Sequence, residues 1–289
     1  MAITNETAYW KRVGYVAIED RSGRMRAYGG ENGGLDFRFD GQFVGDLCPK
    51  FTVGILGLST DTIQDLTTWN IAESVKKGRR VEVYAGYEKD GLATPLMKGI
   101  IIEAYPTNPP EMWLNLTCMM SKDASAPVEE SERFKGKVRE LLKEIARRMG
   151  KTSRWDAEKE IGDKDTVSII GGDPTKMAER FASRFGVIVY EDNGILVSKP
   201  KREWLTGAAK TAEPLSMETG LLGLGNVTMA GATVKRRLDN TARLLSWIKL
   251  TSKIVPKANG YYYVISKRHV GHFRGNDWYT ELKLLRKAN

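Results

Sequence analysis

The stretch GYYYVISKRHVGHFRGNDW, residues 260–278, forms either a metal or catalytic site or a simple hairpin near the end of the chain. It contains both histidines of the sequence, His269 and His272, beside Asp277. Its glycines and three consecutive tyrosines are atypical of a helix, and residues three apart on a strand face opposite sides. A zinc site would also need further ligands, which would have to be carboxylates such as Asp277. The sequence therefore favours a strand, a turn at Gly271 and another strand, with His269 hydrogen-bonded across the strand pair.

Strand-like runs lie on both sides of this stretch. Residues 213–289 contain NVTMAGATVKRRL, SWIKLTSKIV and NDWYTELKLL, which are rich in β-branched and aromatic residues. Between Trp10 and Met120, similar runs are separated by clusters of Gly, Pro, Asn and Asp. A short helix is expected there from Ser59 to about Trp69, because STDTIQDLTTW opens with capping residues. Both ends of the chain are therefore predicted to be β domains.

The middle of the chain has a helical period. Apolar residues recur at helical spacing and predict an amphipathic helix that ends at Gly150; they are Phe134, Val138, Leu141, Leu142, Ile145 and Met149. A second helix is predicted to begin with Asp173 as its cap and Pro174 at its first position. The sequence VIVYEDNGILVSKP, residues 187–200, has Asn-Gly at its centre and predicts a hairpin. A small α+β unit is therefore expected between the two β domains.

A short sequence echo connects the two β domains. The segments TVGILGLSTDT, residues 52–62, and TVKRRLDNTA, residues 233–242, share a Thr-Val opening and a Leu-x-x-Thr spacing. If the echo marks a repeat, the chain contains two related barrels with an insertion between them. The expected fold class is mainly β with an α+β insertion, in which two antiparallel β-barrels flank the insertion. The expected domains are 1–122, 123–210 and 211–289.

Positive charge is concentrated in the last domain. Of the formal net charge of +9 for 289 residues, residues 211–289 supply 13 Lys and Arg against 5 Asp and Glu. A basic face of this kind suits nucleic acid, an acidic protein surface or an anionic membrane. The candidate residues for a basic channel or partner-facing surface are Lys235, Arg236, Arg237, Arg268 and Arg274, with Arg243 and Lys267 nearby. We expect neutralisation of Arg236, Arg237 and Arg268 to weaken a contact with a partner.

Signals for chemistry are sparse. The sequence has no GxSxG or HExxH motif, and two histidines leave few ways to build a catalytic triad. A pair of carboxylates, as in a glycoside hydrolase, is not excluded by spacing. The two cysteines, Cys48 and Cys118, have no CxxC spacing and are expected to be buried, apolar and reduced. The N-terminus lacks the pattern of a cleaved export signal.

The C-terminal pattern resembles the closing domain of the central baseplate hub proteins of contractile-tailed bacteriophages. The resemblance rests on ETGLLG (218–223), ATVKRRLDNTARLLSWIKLTS and a final motif matched by Gly260, Tyr261, Tyr263, His269, Gly271, Trp278 and Thr280. The N-terminal run from FTVGILGLSTDTIQDL through VEVYAGY to LMKGIIIEAYP is similar to the first barrel of the same family. His272 stands where the family often has an acidic or small residue. The motif residues are thus expected to be structural, and the barrels to be tube-like domains.

The resemblance also implies a function. Hub proteins of this kind, and the related N-terminal hubs of type VI secretion spike proteins, are homotrimers whose barrels form a pseudo-sixfold ring. The sixfold tail tube stacks on one face of the ring and the threefold spike, expected here to be a separate protein, docks on the other. A structural virion protein without catalytic residues or cofactors is therefore expected. Its location would be the tail baseplate, and the host cytoplasm during assembly.

The expected partners are further copies of the chain, the tail tube protein, the spike and other baseplate proteins. Tape measure protein or passing DNA would contact a basic channel, and no membrane anchor is expected. Two alternatives to the hub remain open from the residues. The first is a nucleic-acid-binding module that uses the basic C-terminal domain, and the second is a tail-associated cell-wall hydrolase.

Overall fold

The computed structural model describes residues 11–30, 34–67, 78–120, 131–157, 159–192, 194–200 and 212–286. Within these ranges the strands are β1 (Arg12–Glu19), β2 (Met25–Tyr28), β3 (Asp36–Phe43), β4 (Lys50–Leu56), β5 (Arg80–Tyr87), β6 (Met97–Pro106), β7 (Trp113–Met119), β8 (Glu132–Lys137), β9 (Thr152–Trp155), β10 (Asp165–Ile170), β11 (Val187–Asp192), β12 (Ile195–Pro200), β13 (Glu213–Leu215), β14 (Leu221–Val227), β15 (Gly231–Arg237), β16 (Trp247–Leu250), β17 (Gly260–His272) and β18 (Trp278–Arg286). The α-helices are α1 (Thr60–Leu66), α2 (Val138–Arg148), α3 (Lys159–Gly162) and α4 (Pro174–Phe185). None of the helices in the described ranges is long and apolar enough to cross a membrane.

The fold is mainly β, as predicted, with 51% of the described residues in strands and 17% in helices. Strands from both ends of the chain share one sheet, in the order β14-β15-β18-β17-β3-β4-β7-β6-β5-β1-β2; β16 also pairs with β17, and β13 pairs with β16. The expectation of two closed barrels is not confirmed, since no closed barrel is found among the described residues. The two ends are continuous because β17 pairs with β3. The boundaries 1–122, 123–210 and 211–289 remain predictions.

Two groups of five strands have the same connectivity. In the N-terminal group the spatial order is β3-β4-β7-β6-β5, and in the C-terminal group it is β14-β15-β18-β17-β16. Each group is therefore a hairpin followed by a three-stranded meander whose last strand returns to the hairpin. We call these groups the N-terminal repeat and the C-terminal repeat.

The match between the repeats extends to single residues. The pairing of β6 with β7 shifts by one residue at Ile102, and the pairing of β17 with β18 shifts at Ile265. Both isoleucines are therefore the extra residue of a β-bulge in the same strand of their repeats. The Thr-Val echo falls at the same point of both repeats. Thr52 pairs with Thr117 and Thr233 pairs with Lys283, and each partner is the first paired residue past its bulge.

The middle of the chain forms its own core. Strands β11, β12 and β9 make one small sheet, β8 and β10 make another, and α2 and α4 pack with them around buried apolar side chains. The hairpin predicted at residues 187–200 is confirmed by β11 and β12, which turn at Gly194 with φ of +80°. Asn193, at the same turn, lies outside the described residues. Asp173 caps α4 by accepting a hydrogen bond from the Thr175 amide at 2.8 Å, as expected.

One helix begins later than the sequence pattern predicts. Phe134 belongs to β8, where it pairs with Ser168 of β10, and α2 begins only at Val138. The Glu140 side chain accepts a hydrogen bond from the Lys137 amide at 2.9 Å and so fixes this start. Phe134 nevertheless packs against the same core as the apolar face of α2, which is why its spacing in the sequence fits that of the helix. In contrast, α1 begins after its predicted cap, Ser59, which accepts from the Thr62 amide at 3.3 Å.

Candidate functional site

The junction between the two repeats is an antiparallel pairing of β17 with β3. It runs from Lys267 opposite Phe43 to His272 opposite Arg38. The motif residues singled out in the sequence lie on β17 and on its hairpin partner β18, so most of them are at or near this junction.

His269 is a buried structural histidine. Its side chain is 0% exposed, and its Nδ1 lies 2.9 Å from the Thr280 hydroxyl on the opposite strand. The two residues are direct partners across β17 and β18, as the sequence predicted. Burial, followed by the positive charges of Lys267 and Arg236, holds the pKa of His269 well below its usual value. The imidazole is therefore neutral at pH 7 and packs edge-on against Phe43.

His272 lies on the other side of the strand and binds a different partner. Its Nε2 is 2.8 Å from the Asp36 Oδ2 atom, and its ring packs edge-on against Trp113. The turn predicted at Gly271 is displaced, because β17 continues to His272 and the chain turns between Phe273 and Asp277. His272 donates its amide to the Asp277 carbonyl at 2.7 Å. Among the described residues, no group of three or more His, Cys, Asp and Glu is placed to hold a metal ion.

Gly271 and Trp278 bring the two repeats into close contact. A Cβ atom on Gly271 would lie 2.2 Å from the ring of Phe39, so the ring lies directly against the glycine backbone. Trp278 packs edge-on against Phe39 and donates its indole N–H to the Gly86 carbonyl at 3.1 Å. Both contacts cross from the C-terminal to the N-terminal repeat. They require a glycine at one position and a large aromatic donor at the other.

The remaining motif residues lie at the start of β17. Gly260 pairs with Leu250 and has a φ of +155°. Tyr263 is buried and packs edge-on against Trp247 at a centroid distance of 5.3 Å, whereas Tyr261 is 37% exposed. These residues join β17 to β16 within the C-terminal repeat. The motif as a whole therefore follows β17 from its own repeat into the junction.

Arg236 does not belong to an exposed basic surface, which corrects the sequence-based assignment. Its side chain is only 2% exposed and donates to Glu213 and Asp239, each at 3.0 Å, and to Thr241 at 2.8 Å. The strand alternation of β15 directs this side chain inward, and nearby acidic residues compensate its charge. Neutralisation of Arg236 would therefore affect folding before it affected a partner.

Two other predicted basic residues pair with the N-terminal repeat. Arg237 contacts Asp90 at 2.5 Å. Arg268 binds Asp40 at the junction with two hydrogen bonds, one of them 2.7 Å long, and this carboxylate raises the pKa of the guanidinium. Both charges are used to join the two repeats. The positive C-terminal segment is thus partly matched by acidic residues earlier in the chain.

Lys235 and Arg274 are the exposed members of the predicted set. Lys235 Nζ lies 4.1 Å from the centroid of the Tyr279 ring, and the Arg274 side chain donates to the Gly34 carbonyl. Arg243, named with them from the sequence, is exposed as well. Lys235 lies on β15, Arg243 on the connection between β15 and β16, and Arg274 on the turn between β17 and β18.

Lys267 has a role that the sequence does not reveal. It is 0% exposed and donates to Asp192 of β11 at 2.8 Å, so it connects the junction to the middle unit. Its ammonium also lies 4.8 Å from the centroid of the Phe43 ring. The charge of this side chain gives no indication that it is buried. The available signal in the sequence is the strand alternation, which places Lys267 on the same face as His269.

A family model of known proteins matches most of the chain. The model described as "Baseplate hub gp41" matches residues 42–282, which include the middle unit and both repeats except most of β3 and the end of β18. The chain belongs to the baseplate hub gp41 family. The motif and the junction described above therefore lie within a tail hub protein of bacteriophage type. No curated protein sequence matches the chain.

Solved structures of tail proteins share the fold of this hub protein. A tail protein from Neisseria meningitidis MC58 is 13% identical, with 96% of this chain and 97% of that chain covered and a TM-score of 0.58. The 43 kDa tail protein of prophage MuSo2 from Shewanella oneidensis is 11% identical, with coverage of 95% and 98% and a TM-score of 0.57. The c3393 protein of E. coli, a component of the type VI secretion system, is 10% identical, with coverage of 88% and 74% and a TM-score of 0.51.

Family and fold together define the class of this hub protein. Phage tail proteins and a type VI secretion component share its architecture, and members of its family are structural baseplate proteins. The hub is therefore a structural, virion-associated tail protein that assembles with other tail or baseplate proteins. The surfaces that matter for this role are those that contact other tail or baseplate proteins.

Proposed function

We propose that this chain is the central hub of a contractile-tail baseplate, in which three copies join the sixfold tail tube to the threefold spike. The observation that carries the proposal is the pair of repeats within one chain. Three copies contain six repeats, which suits a sixfold partner on one face. Because the two repeats differ in sequence, the same three copies also retain true threefold symmetry for the spike on the other face.

The charges support a role in assembly over nucleic-acid recognition. Arg237 and Arg268 are already paired with Asp90 and Asp40, so they are not available for phosphates without breaking contacts within the chain. Lys235, Arg243 and Arg274 remain exposed to meet an acidic neighbour, the tape measure protein or DNA that passes through a central channel. The hub would assemble in the host cytoplasm and remain in the virion baseplate.

The test is reconstitution with partners from the same genome. The mass of the purified chain would be measured by light scattering, alone and after mixing with the tail tube protein and the spike, and the products imaged by negative stain. We expect a threefold ring with a central opening that binds the tube protein on one face and the spike on the other. A chain that stays monomeric with both partners contradicts the proposal.

The alternatives make different predictions in the same preparation. A nucleic-acid-binding module would bind DNA with an affinity that falls steeply as salt rises, in proportion to the phosphates contacted. A cell-wall hydrolase would clear peptidoglycan in a gel, and a single carboxylate substitution would abolish the clearing. For the hub we expect weak DNA binding at physiological salt and no clearing. The variant Lys235→Gln with Arg274→Gln should leave the ring intact.

A further inference from the structure

We propose that the middle unit binds an acidic, extended segment of another tail or baseplate protein, in a groove between β10 and α4. The segment adds to β10 as a third strand of the small β8–β10 sheet. The proposed ring uses the two repeats, so this contact goes beyond it and gives the middle unit a partner of its own. The groove, its open strand edge and its positive charge each support the contact.

The groove is an apolar cleft in the middle unit. Its volume is about 840 Å³, and β10 and α4 contribute most of its walls. These two elements touch through Met177 Sδ, which accepts a hydrogen bond from the Gly171 amide at 3.2 Å, and through Arg184, which donates to the Val167 carbonyl at 3.1 Å. Apolar side chains line the groove; they are Leu141, Ile145, Ile170, Phe181 and Phe185. An apolar side chain that enters the groove therefore meets the core of the middle unit.

One wall of the groove is a strand edge. Among the described residues β10 pairs only with β8, and two strands are fewer than a sheet normally needs for independent stability. The Lys164 carbonyl accepts from the Val138 amide beside β8, whereas the Val167 carbonyl binds Arg184 of α4. Successive residues of a strand direct their backbone groups to alternate sides, so Val167 and Ile169 both direct theirs away from β8. An extended segment along this edge can bond to both residues.

The exposed side chains of β10 also indicate a missing neighbour. Ile169 is 74% exposed and Val167 is 41% exposed, and both lie on the face of β10 opposite the buried Ile170. Residues 166–171 contain no charged residue, although edge strands are normally protected by charge. A third strand would place its own side chains beside these two and cover them.

The charge around the groove selects an acidic segment. Among the described residues that line it, the cations are Arg133, Arg180 and Arg184, and the one carboxylate, Glu132, already pairs with Arg148. Two such grooves from two copies of the chain would bring like charges together, which disfavours a second copy as the occupant. A segment in which acidic residues alternate with apolar ones suits both the arginines and the apolar lining.

Strand addition also explains the position of Arg184. In the free chain its guanidinium donates to the Val167 carbonyl, the acceptor that an added strand would use. When the segment binds, Arg184 releases this carbonyl and pairs with an acidic side chain of the segment. Main-chain hydrogen bonds then supply affinity, and the alternate side chains supply specificity, as in other cases of strand addition.

Peptide binding tests the class of partner. Short overlapping peptides that cover the other tail and baseplate proteins of the same genome would be arrayed and probed with the labelled full chain. We expect binding by peptides in which acidic and apolar residues alternate, and binding at least about tenfold weaker by Arg180→Glu. Lys143→Glu is the matched control, because Lys143 is an exposed cation of α2 outside the groove. The proposal is wrong if no peptide distinguishes Arg180→Glu from the wild type.

A proline substitution tests the added strand. Ile169→Pro removes an amide that points away from β8, so pairing with β8 is kept. This variant should bind the selected peptide at least about tenfold more weakly, with the unfolding midpoint of the wild type. In the wild type, the peptide should slow hydrogen exchange at the Val167 and Ile169 amides. Undiminished binding by Ile169→Pro, without slower exchange in the wild type, would mean that the groove holds a helix, and would overturn strand addition.

The groove and the ring can fail separately. Arg180→Glu and Ile169→Pro should assemble with tube protein and spike as the wild type does, because neither residue belongs to a repeat. Rings that bind none of the peptides overturn the groove and leave the hub function standing. Monomers that bind an acidic peptide overturn the ring and leave the groove standing.

Discussion

Lys267 in β17 donates a hydrogen bond to Asp192 in β11 over 2.8 Å, and both side chains are buried. The pair connects the strand of the repeat junction to the middle unit. An ion pair of this kind is costly to break from one side, because the remaining charge is left in a dry environment.

We therefore expect Lys267→Met to lower the free energy of unfolding by about 3–5 kcal/mol in urea titrations. Lys253→Met is the matched control, because Lys253 pairs with Glu218 at the exposed surface, where solvent screens the attraction. The double variant Lys267→Met with Asp192→Leu should be less destabilised than Lys267→Met alone. Equal losses for the two lysine variants would mean that the buried pair has no special weight.

Arg236 and Arg268 should respond differently to the same substitution. Arg236 is buried between Glu213 and Asp239, so Arg236→Gln should cost about 3–5 kcal/mol of unfolding free energy. Arg268 is about 43% exposed in its pair with Asp40, so Arg268→Gln should cost about 0–1 kcal/mol. Thermal or urea unfolding of the two variants side by side measures the difference. The reverse order of stability would contradict the burial of Arg236.

Gly271 should not tolerate even one methyl group. A Cβ atom there meets the Phe39 ring at 2.2 Å, so Gly271→Ala must displace the ring and should lower stability by about 1–3 kcal/mol. Gly86→Ala serves as the control, because its Cβ would meet Leu92 at an ordinary 3.5 Å. Equal unfolding midpoints for the two variants would show that the junction yields without cost.

His269 should make the protein less stable as the pH falls below about 6.5. Its folded-state pKa is depressed by burial and by the nearby Lys267 and Arg236, so below the unfolded-state pKa the unfolded chain binds a proton that the folded chain does not. Stability then rises with pH across this window, by up to about 1.4 kcal/mol per unit. Urea titrations at pH 7.5, 6.0 and 5.0 should show a shallower pH dependence for His269→Asn. The same slope in wild type and variant would exclude this histidine as the cause.

The sequence predicted the local elements of this fold well because their signals are local. Ser59 and Asp173 cap their helices, residues 187–200 form the hairpin, and His269 bonds to Thr280 across a strand pair. The Thr-Val echo, only a few residues long, correctly marked the same position in two strand repeats. Capping, turn formation and strand alternation each depend on a few neighbouring residues, so one sequence is enough to recognise them.

The errors arose where the deciding partner is distant in sequence. Arg268 is paired with Asp40, which lies 228 residues away, and Arg237 with Asp90, which lies 147 residues away. A count of charges within one segment cannot include such partners, so the C-terminal repeat appeared more basic than its surface is. Phe134 was assigned to a helix because its spacing fits the apolar face, but pairing with β10 holds it in a strand. The continuity of the sheet through β17 and β3 is a long-range contact of the same kind.

The pairing of β17 with β3 also determines when the chain can finish folding. A ribosome adds about 5–20 residues per second, so the 228 residues between Asp40 and Arg268 take roughly 10–50 s to synthesise. During that interval the nascent N-terminal repeat has an open edge at β3, with Phe39 not yet covered by Gly271. Chains that terminate early would keep this edge open permanently and would be prone to aggregate. Completion of the last hairpin is therefore the step that protects the edge at β3 from a wrong partner.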